Sequence, residues 1–148
     1  MIWSNDDYGI STDRDLLDFA VIHGFLTESY WSPGIARAAV ERAARHSMPF
    51  GVYRLAGEDR PAQVGYARVL TDFVRFAYVL DVFVVEAHRG RGLAARLTEA
   101  MVTHPELSGV AGWMLSTRGV HGLYAKFGFE AVSDPSRLMR RARPADLR

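Results

Sequence analysis

A glycine-rich turn with two arginines, Arg89-Gly90-Arg91-Gly92, is the segment of this sequence whose residue types and spacing best suit ligand chemistry. It follows an apolar stretch with strand character and precedes a stretch with helical periodicity. Successive backbone N–H groups in such a turn, with the positive end of the following helix, bind phosphate oxygens. Glycine suits the turn because a Cβ would restrict its dihedral angles and hold the oxygens away from the amides. Taken alone, the pattern also fits a tight turn with solvated arginines.

A dinucleotide-binding turn is the competing interpretation, because Gly90, Gly92 and Ala95 fit the G-x-G-x-x-A variant of that fingerprint. That motif follows the first strand of an alternating βαβ domain, and an acidic residue about 20 residues later ends the next strand. Here the turn comes late in the chain, and Glu106, the acidic residue nearest that spacing, lies in a connector before a strand. A P-loop is excluded because the sequence has no G-x-x-x-x-G-K-[ST] segment. We therefore expect no Rossmann-type site.

Composition narrows the remaining function classes. A chain of 148 residues predicts one domain, 1–148. With no cysteine, disulfides and thiolate metal sites are excluded, and the five histidines show no short-spaced ligand pattern, so we expect no metal. A net charge of +1 gives no general attraction to nucleic acid or to a membrane. No charged-then-apolar leader and no apolar run of about 18 residues is present, so a cytoplasmic protein is the default expectation.

The elements that must position the turn are read from hydrophobic periodicity and helix caps. We predict a short strand near 8–11, then a helix capped by Asp13 and a second helix that starts at the N-cap Ser32 before Pro33. Extended patterns predict strands over 50–55, 63–70 and 76–85. The remaining elements are a helix from 93 to about 104, a strand over 112–117, a helix over 119–126 and a last strand over 127–132.

The resulting order, β-α-α-β-β-β-α-β-α-β, predicts an α+β fold. The early hairpins favour antiparallel pairing, and the strand–helix–strand unit over 76–117 favours a parallel crossover. We therefore expect a twisted mixed sheet of about six or seven strands with helices on both faces.

The chain resembles the GNAT superfamily of N-acetyltransferases in two segments and in its strand order. The segment VFVVEAHRGRGLAARL, residues 82–97, resembles the strand, pyrophosphate loop and helix of the acetyl-CoA motif of that family. The segment LYAKFGFEAV, residues 123–132, resembles its Y-x-x-x-G-F element near the C-terminus. The predicted strand order matches the GNAT fold over nearly the whole chain.

The resemblance implies that acetyl-CoA lies in a V-shaped gap where the strand ending at Val85 splays from the strand ending at Thr117. The strand would pair with the pantetheine arm, and the backbone amides of the turn would hold the pyrophosphate. The cofactor-binding residues expected on this basis are Phe83, Val84, Val85, Arg89, Gly90, Arg91, Gly92, Leu93 and Ala94. One departure is Ala87, where the family has Gln or Arg; because the loop binds through backbone amides, we expect this change to be tolerated.

The implied reaction is direct transfer of an acetyl group to a primary amine of a small molecule or peptide, in a ternary complex. A lysine-like amine is almost fully protonated at pH 7, and the departing CoA thiolate benefits from a proton donor. The resemblance places Tyr124 as that donor. The structural alternative is a tyrosine packed against Phe127 and Phe129.

Asp81 and His121 are the other candidate catalytic residues. Asp81 interrupts an apolar strand, where a carboxylate needs a partner or a function. It could accept the amine proton directly or through water, orient the acceptor, or serve only as a structural carboxylate bound to backbone or arginine. His121 precedes Tyr124 by three residues, so both fit one helical face, where His121 could relay a proton, bind CoA or simply pack.

The resemblance implies an acceptor site rimmed by the loop between the first two helices, which contains Glu28, Tyr30 and Trp31. An exposed aromatic pair beside a carboxylate binds an amine through cation–π and charge contacts, although the same aromatics could close the edge of the core. Homodimers are frequent in this superfamily, so a homodimer is a further expectation from the resemblance.

Two alternatives from other classes stay open. A non-catalytic acyl-CoA sensor would keep the glycine cradle and lose the acceptor chemistry. An interaction protein would use the C-terminal arginines, Arg137, Arg140, Arg141, Arg143 and Arg148, on an acidic partner or nucleic acid, whereas a solvated basic tail over 134–148 is the simpler interpretation.

Overall fold

The structure, a computed structural model, describes residues 1–143. It contains six strands and four α-helices in these residues, with short 3-10 turns at Arg14–Leu16, Glu86–His88 and Pro135–Arg137. The strands are β1 (Trp3–Ser4), β2 (Tyr8–Ser11), β3 (Met48–Arg54), β4 (Ala62–Thr71), β5 (Phe76–Val84) and β6 (Gly112–Met114). The helices are α1 (Phe19–Leu26), α2 (Arg37–Arg45), α3 (Leu93–Val102) and α4 (His121–Ala125).

The strands form a single mixed sheet in chain order, β1-β2-β3-β4-β5-β6. The pairs from β1 to β5 are antiparallel, and β5 pairs with β6 in parallel through the crossover helix α3. The predicted α+β fold, the antiparallel hairpins and the parallel crossover are therefore confirmed.

Both faces of the sheet are covered, as predicted, because each face carries its own apolar cluster. The larger cluster joins the sheet to α3 through Leu93, Leu97 and Met101. The smaller one joins Tyr66 and Phe83 to α1 and α2 through Ile22, Leu26 and Val40.

A β-bulge in β5 bends this strand beside the site. Between the pairs Tyr66↔Phe83 and Arg68↔Leu80, β4 advances by two residues while β5 advances by three. The additional residue lets Asp81 adopt a left-handed backbone conformation, with φ of 57°. Pairing of β5 with β6 stops at Tyr78↔Met114, although β5 continues to Val84. The two strands therefore separate beyond this point, and we call the space between residues 79–84 and residues 115–117 the β5–β6 gap.

The helix starts differ from the predicted ones. Asp13 caps the 3-10 turn Arg14–Leu16, whereas α1 begins after Asp18, whose carboxylate accepts from the backbone N–H groups of Ala20 and Val21. The predicted N-cap Ser32 was wrong, since α2 begins after Ala36 without a side-chain cap. The reason is that the polar and Pro-Gly residues before α2 continue the loop, in which the N–H of Gly34 bonds back to the Thr27 carbonyl.

The predicted last strand over 127–132 was also wrong. Gly128, with φ of 87°, ends α4 in a left-handed turn, and the N–H groups of Phe127 and Phe129 both donate to the Tyr124 carbonyl. These residues therefore terminate a helix although their apolar alternation is typical of a strand. The strand predicted over 112–117 is shorter, because β6 ends at Met114, and the two-residue strand β1 has too few residues to leave a periodic signal.

Candidate active site

The glycine turn lies between the end of β5 and the first residue of α3, as the sequence predicts. Gly90 and Gly92 both have φ near 75°, at 76° and 75°, in the left-handed region. A Cβ at either position would meet no heavy atom within 4 Å, so the backbone conformation and not crowding requires glycine. Gly92 is the N-cap of α3 and has no side-chain cap, so the first amides of α3 have no partner within the helix. This arrangement suits a phosphate group.

The two turn arginines differ in their contacts. The Arg89 Nε donates to the Val84 carbonyl at 2.9 Å, which folds its side chain back onto the end of β5. Arg91 is exposed. Arg89 is exposed as well, and only its Nε is engaged, so both guanidinium groups are available to an anion at the turn, while the Nε bond also fixes Arg89 to the strand.

Along β5 the backbone groups alternate between β4 and the β5–β6 gap. The Val85 N–H donates to the Val64 carbonyl of β4, and a Cβ on Gly65 of β4 would lie 2.9 Å from the Phe83 carbonyl. The polar backbone groups of Phe83 and Val85 therefore face β4, and those of Val84 face the gap. The Phe83 ring lies in the α1 side of the core, stacked on Phe25 at 4.0 Å between ring centroids.

Asp81 is held by two donors at the edge of the gap. Arg68 Nε lies 2.6 Å from Asp81 Oδ2, and the two side chains are only 17% and 10% exposed. Trp31 Nε1 donates to Asp81 Oδ1 at 3.0 Å. A second nitrogen of Arg68 bonds the Ser47 hydroxyl at 3.0 Å, which anchors the guanidinium. The carboxylate is thus half of an ion pair, and one of its oxygens is reached from the exposed loop residue Trp31.

The loop between α1 and α2 reaches across to the end of β6. The guanidinium carbon of Arg118 lies 4.1 Å from the Tyr30 ring centroid, a cation–π geometry. Tyr30 also contacts Trp31 edge-on at 5.0 Å between centroids. Trp31 therefore contacts Asp81 of β5, and Tyr30 contacts Arg118, which follows residues 115–117. The loop thus contacts both sides of the β5–β6 gap. Glu28, the third predicted acceptor residue, is exposed and forms no ion pair with another residue in 1–143.

Tyr124 is buried on α4, with 6% of its surface exposed. Burial raises the pKa of its phenol, and the nearby Tyr30 raises it further. Its ring packs edge-on against Phe129, with centroids 5.9 Å apart. The packing alternative and the donor role are compatible here, because the ring packs while the hydroxyl keeps its proton at neutral pH.

His121 and Tyr124 share one face of α4, as predicted, and both line a cavity of about 980 Å³. Most of the wall is apolar, with Trp113 and Leu115 from one side and Phe127 and Phe129 from the other. No residue of β5 or of the glycine turn lines it. His121 is exposed at the first position of α4, so the structure groups it with Tyr124 and not with Asp81.

The sequence analysis did not identify Arg68. Like Asp81, Arg68 is a charged residue inside an apolar strand, and this feature could have identified it. In residues 1–143 no cluster of potential metal ligands occurs. None of the helices in the same described part is long and apolar enough to cross a membrane.

Comparison with known proteins identifies the class to which this fold and site belong. The sequence pattern of the acetyltransferase (GNAT) domain matches residues 51–131. A Gibberella zeae protein named as a candidate acetyltransferase is 31% identical over 138 residues, which cover 80% of this chain and 77% of that protein. The chain therefore belongs to the GNAT acetyltransferase family, as the sequence resemblance indicated.

Solved structures agree with this assignment. A Xanthomonas campestris protein described as a candidate acetyltransferase of the GNAT family is 42% identical and superposes with a TM-score of 0.84, over 93% of this chain and 94% of that one. A Clostridium acetobutylicum protein, described as a predicted acetyltransferase with acetyl-CoA, is 14% identical and has a TM-score of 0.59, over 86% and 91% of the two chains. At that identity the second likeness shows the fold alone.

Proposed function

We propose that this protein transfers the acetyl group of acetyl-CoA to a primary amine of a small molecule or peptide, directly within a ternary complex. The observation that carries the proposal is the glycine turn, whose left-handed Gly90 and Gly92 open the N-terminus of α3 beside the β5–β6 gap. The acetyl-CoA bound to the Clostridium acetobutylicum protein of the same fold supports this choice of donor. Family membership supplies the reaction class.

In this proposal the amides from Arg89 to Ala94 hold the pyrophosphate, with Arg91 adding positive charge. The pantetheine arm lies in the β5–β6 gap. The backbone of Val84 faces that gap, while Phe83 and Val85 direct their polar groups to β4. We therefore assign the pantetheine contact on β5 to Val84, and assign Phe83 and Val85 to shaping the wall of the gap.

The acceptor amine is proposed to bind at Asp81 beneath the α1–α2 loop. The Trp31 indole leaves Asp81 Oδ1, and the acceptor ammonium takes its place, while Arg68 keeps Oδ2. Tyr30 and Trp31 flank the amine as aromatic surfaces, and the exposed Glu28 adds negative charge to the rim of the site. Because Arg68 neutralises much of the carboxylate charge, we assign Asp81 first to orienting the amine and then to accepting its proton, directly or through a water.

In the proposed chemical step, the ammonium first gives one proton to Asp81, directly or through a water, and Asp81 passes it to solvent. The neutral amine nitrogen then attacks the thioester carbon, so a C–N bond forms and the C–S bond breaks. The thiolate takes the Tyr124 proton, and the second proton of the amine, released on attack, restores the phenol. His121, on the same face of α4 as Tyr124, is assigned to relaying this second proton to Tyr124.

Two measurements test the proposal, thiol release from acetyl-CoA across a panel of primary amines and calorimetric titration of CoA. We expect CoA binding together with amine-dependent thiol release. A protein that binds CoA and releases no thiol with any amine would instead be the non-catalytic acyl-CoA sensor, an alternative favoured by the ion pair that already engages Asp81. A protein that does not bind CoA would contradict both functions.

The acceptor assignment is tested by Asp81→Asn. We expect kcat/KM for the best amine to fall by about 100-fold, because general-base and charge contacts of this kind contribute roughly 10²–10⁴-fold, while the Kd for CoA stays within twofold. The matched control is Glu41→Gln, which removes the carboxylate of an exposed ion pair on α2 and should leave kcat/KM unchanged. An equal loss in both variants would contradict the assignment.

A further inference from the structure

A hydrogen bond between Tyr8 and His88 connects the glycine turn to a distant strand. The Tyr8 hydroxyl lies 2.8 Å from His88 Nδ1, and the two rings meet edge-on at 5.7 Å between centroids. The hydroxyl donates when the imidazole carries its proton on Nε2. Tyr8 belongs to β2, and His88 immediately precedes Arg89-Gly90-Arg91-Gly92. The contact therefore ties the start of the turn to the far side of the sheet.

Tyr8 is a rigid anchor for this contact. Its side chain is 4% exposed and belongs to the larger apolar cluster. Its strand partner Arg54 places a guanidinium carbon 6.0 Å from the Tyr8 ring centroid. A buried phenol that loses its hydrogen-bond partner incurs a desolvation cost, so the bond constrains His88 as well as Tyr8.

Backbone hydrogen bonds hold the start of the turn only locally, from His88 to the Val85 carbonyl and from Arg89 to the Glu86 carbonyl. Two of its residues are glycines, which lose more conformational entropy on ordering than other residues. Ala87, at the start of the turn, offers no side chain for a polar contact. The remaining side-chain hydrogen bond of the described turn, from Arg89 to Val84, spans only five residues and leaves the turn free to move with the end of β5. The contact with Tyr8 spans 80 residues and fixes the turn to the body of the sheet.

We propose that Tyr8 and His88 are positioning residues that hold the glycine turn ready for the diphosphate of CoA. The inference rests on the proposed use of acetyl-CoA. With the turn held, its amides converge on the diphosphate before binding, and less ordering entropy is lost on association. Without the contact the same amides are present but not pre-organised.

The test compares CoA affinity in Tyr8→Phe, His88→Ala and His88→Asn by calorimetry. A net hydrogen bond of this kind corresponds to roughly a threefold to tenfold effect, so Tyr8→Phe and His88→Ala should each raise the Kd for CoA by that factor. Asn places an amide oxygen near the position of Nδ1, so His88→Asn should restore most of the affinity. The KM for acetyl-CoA should rise in the same proportion, with kcat at saturation changed less than twofold.

The matched control is Tyr53→Phe, because Tyr53 is a buried tyrosine of the adjacent strand β3 whose hydroxyl has no partner in residues 1–143. It should bind CoA as the wild type does. Thermal unfolding shows which variants are folded. Affinities within twofold of wild type for both Tyr8→Phe and His88→Ala would overturn the positioning role while leaving the proposed function intact. Absence of CoA binding in the wild type would overturn the proposed function and this inference together.

Discussion

Asp81 adopts a backbone conformation that costs a non-glycine residue of order 1–3 kcal/mol. The bulge in β5 imposes this conformation, and the Arg68 ion pair and the Trp31 indole hold the carboxylate once it is there. Replacing Asp81 by glycine would relieve the strain and leave the buried Arg68 without its partner, which is the more costly change. The strain is therefore retained where a charged side chain is directed toward Trp31 of the α1–α2 loop.

The Tyr124 phenol is the proposed proton donor to the CoA thiolate. Because burial and Tyr30 raise its pKa above the ordinary value of 10.0, the phenol carries its proton throughout the neutral range and can donate it to the CoA thiolate. We expect Tyr124→Phe to lower kcat by about 100-fold, the low end for a general acid, since a thiolate is a good leaving group. Steady-state thiol release at pH 7.5 measures this.

The same variant should bind CoA with a Kd within threefold of wild type, because the lost hydroxyl acts on the sulfur and not on the diphosphate. Wild-type activity that depends on the protonated phenol persists up to its folded-state pKa and declines above it. Full turnover by Tyr124→Phe at neutral pH would exclude the donor role and leave Tyr124 as a packing residue against Phe129.

At the scale of the strands, the close contact of Gly65 with its neighbours explains why β4 contains a glycine at its fourth residue. An added Cβ would lie 2.9 Å from the Phe83 carbonyl and 3.1 Å from the Val52 Cβ, and neither neighbour is a flexible side-chain end. We expect Gly65→Ala to lower the free energy of unfolding by about 1–3 kcal/mol through overpacking. Urea unfolding measures the loss, and CoA affinity should fall as well, because Phe83 adjoins Val84 of the gap.

Gly24 is the matched control, a helical glycine of α1 at which an added Cβ meets nothing within 4 Å. Gly24→Ala should raise the free energy of unfolding by about 0.5–1 kcal/mol, because alanine loses less backbone entropy in a helix. Opposite signs at the two glycines are the expected result. A Gly65→Ala protein as stable as the wild type would mean that β5 shifts without cost, and would contradict the close packing of Gly65 against Phe83 and Val52.

The elements that the sequence predicts well are those with a strong local pattern. The continuous apolar run of β5, the periodicity of α3 and the Gly90/Gly92 turn between them are local features, and all three are found where the sequence indicates. The strand predicted over 127–132 was wrong because apolar alternation alone does not make a strand. Gly128 instead ends α4 in a left-handed turn. The prediction of Ser32 as an N-cap was wrong because loop hydrogen bonds, which the sequence does not reveal, hold this segment outside the helix.

Within the candidate site, Tyr124 and the glycine turn are each predicted from nearby residues. The Arg68–Asp81 pair depends on a bulge between two strands, and the Tyr8–His88 contact joins residues 80 positions apart. Such contacts follow from register and topology, and a single sequence carries no direct signal for them.

At the scale of the whole molecule, the site lies where the two helical layers meet the separated strands. In the proposed function, the layer of α3 would bind the diphosphate and the α1–α2 loop would bind the acceptor, with β5 between them. Arg118 on Tyr30 and Asp81 on Trp31 attach that loop to both sides of the β5–β6 gap. In the proposed function, the loop would open for the acceptor by releasing these two contacts, and the Trp31 ring would also shift against Phe25, whose centroid lies 6.1 Å away, while the sheet stays fixed.

The stability of the whole domain should depend on pH through two buried tyrosines on the side of the sheet below α1 and α2. The hydroxyls of Tyr53 and Tyr66 have no hydrogen-bond partner in residues 1–143, and burial raises the pKa of both phenols above the ordinary 10.0. In the unfolded chain the phenols ionise near pH 10, whereas in the folded protein they keep their protons. The unfolded state therefore binds fewer protons above pH 10, and the free energy of unfolding falls as pH rises. Below pH 10 their contribution is fully present.

The Tyr53→Phe/Tyr66→Phe double variant tests this directly. At pH 8 we expect it to be as stable as the wild type or slightly more so, because a buried hydroxyl without a partner carries a desolvation cost that phenylalanine lacks. Between pH 10 and 11 the wild type should lose up to about 1.4 kcal/mol per pH unit for each tyrosine, and the variant should lose correspondingly less. Urea unfolding at pH 8, 10 and 11 measures both slopes, and Tyr78→Phe, a change at a less buried tyrosine, is the control. Parallel slopes for wild type and double variant would mean that the two phenols ionise within the folded protein, which requires the α1–α2 layer to admit water at alkaline pH.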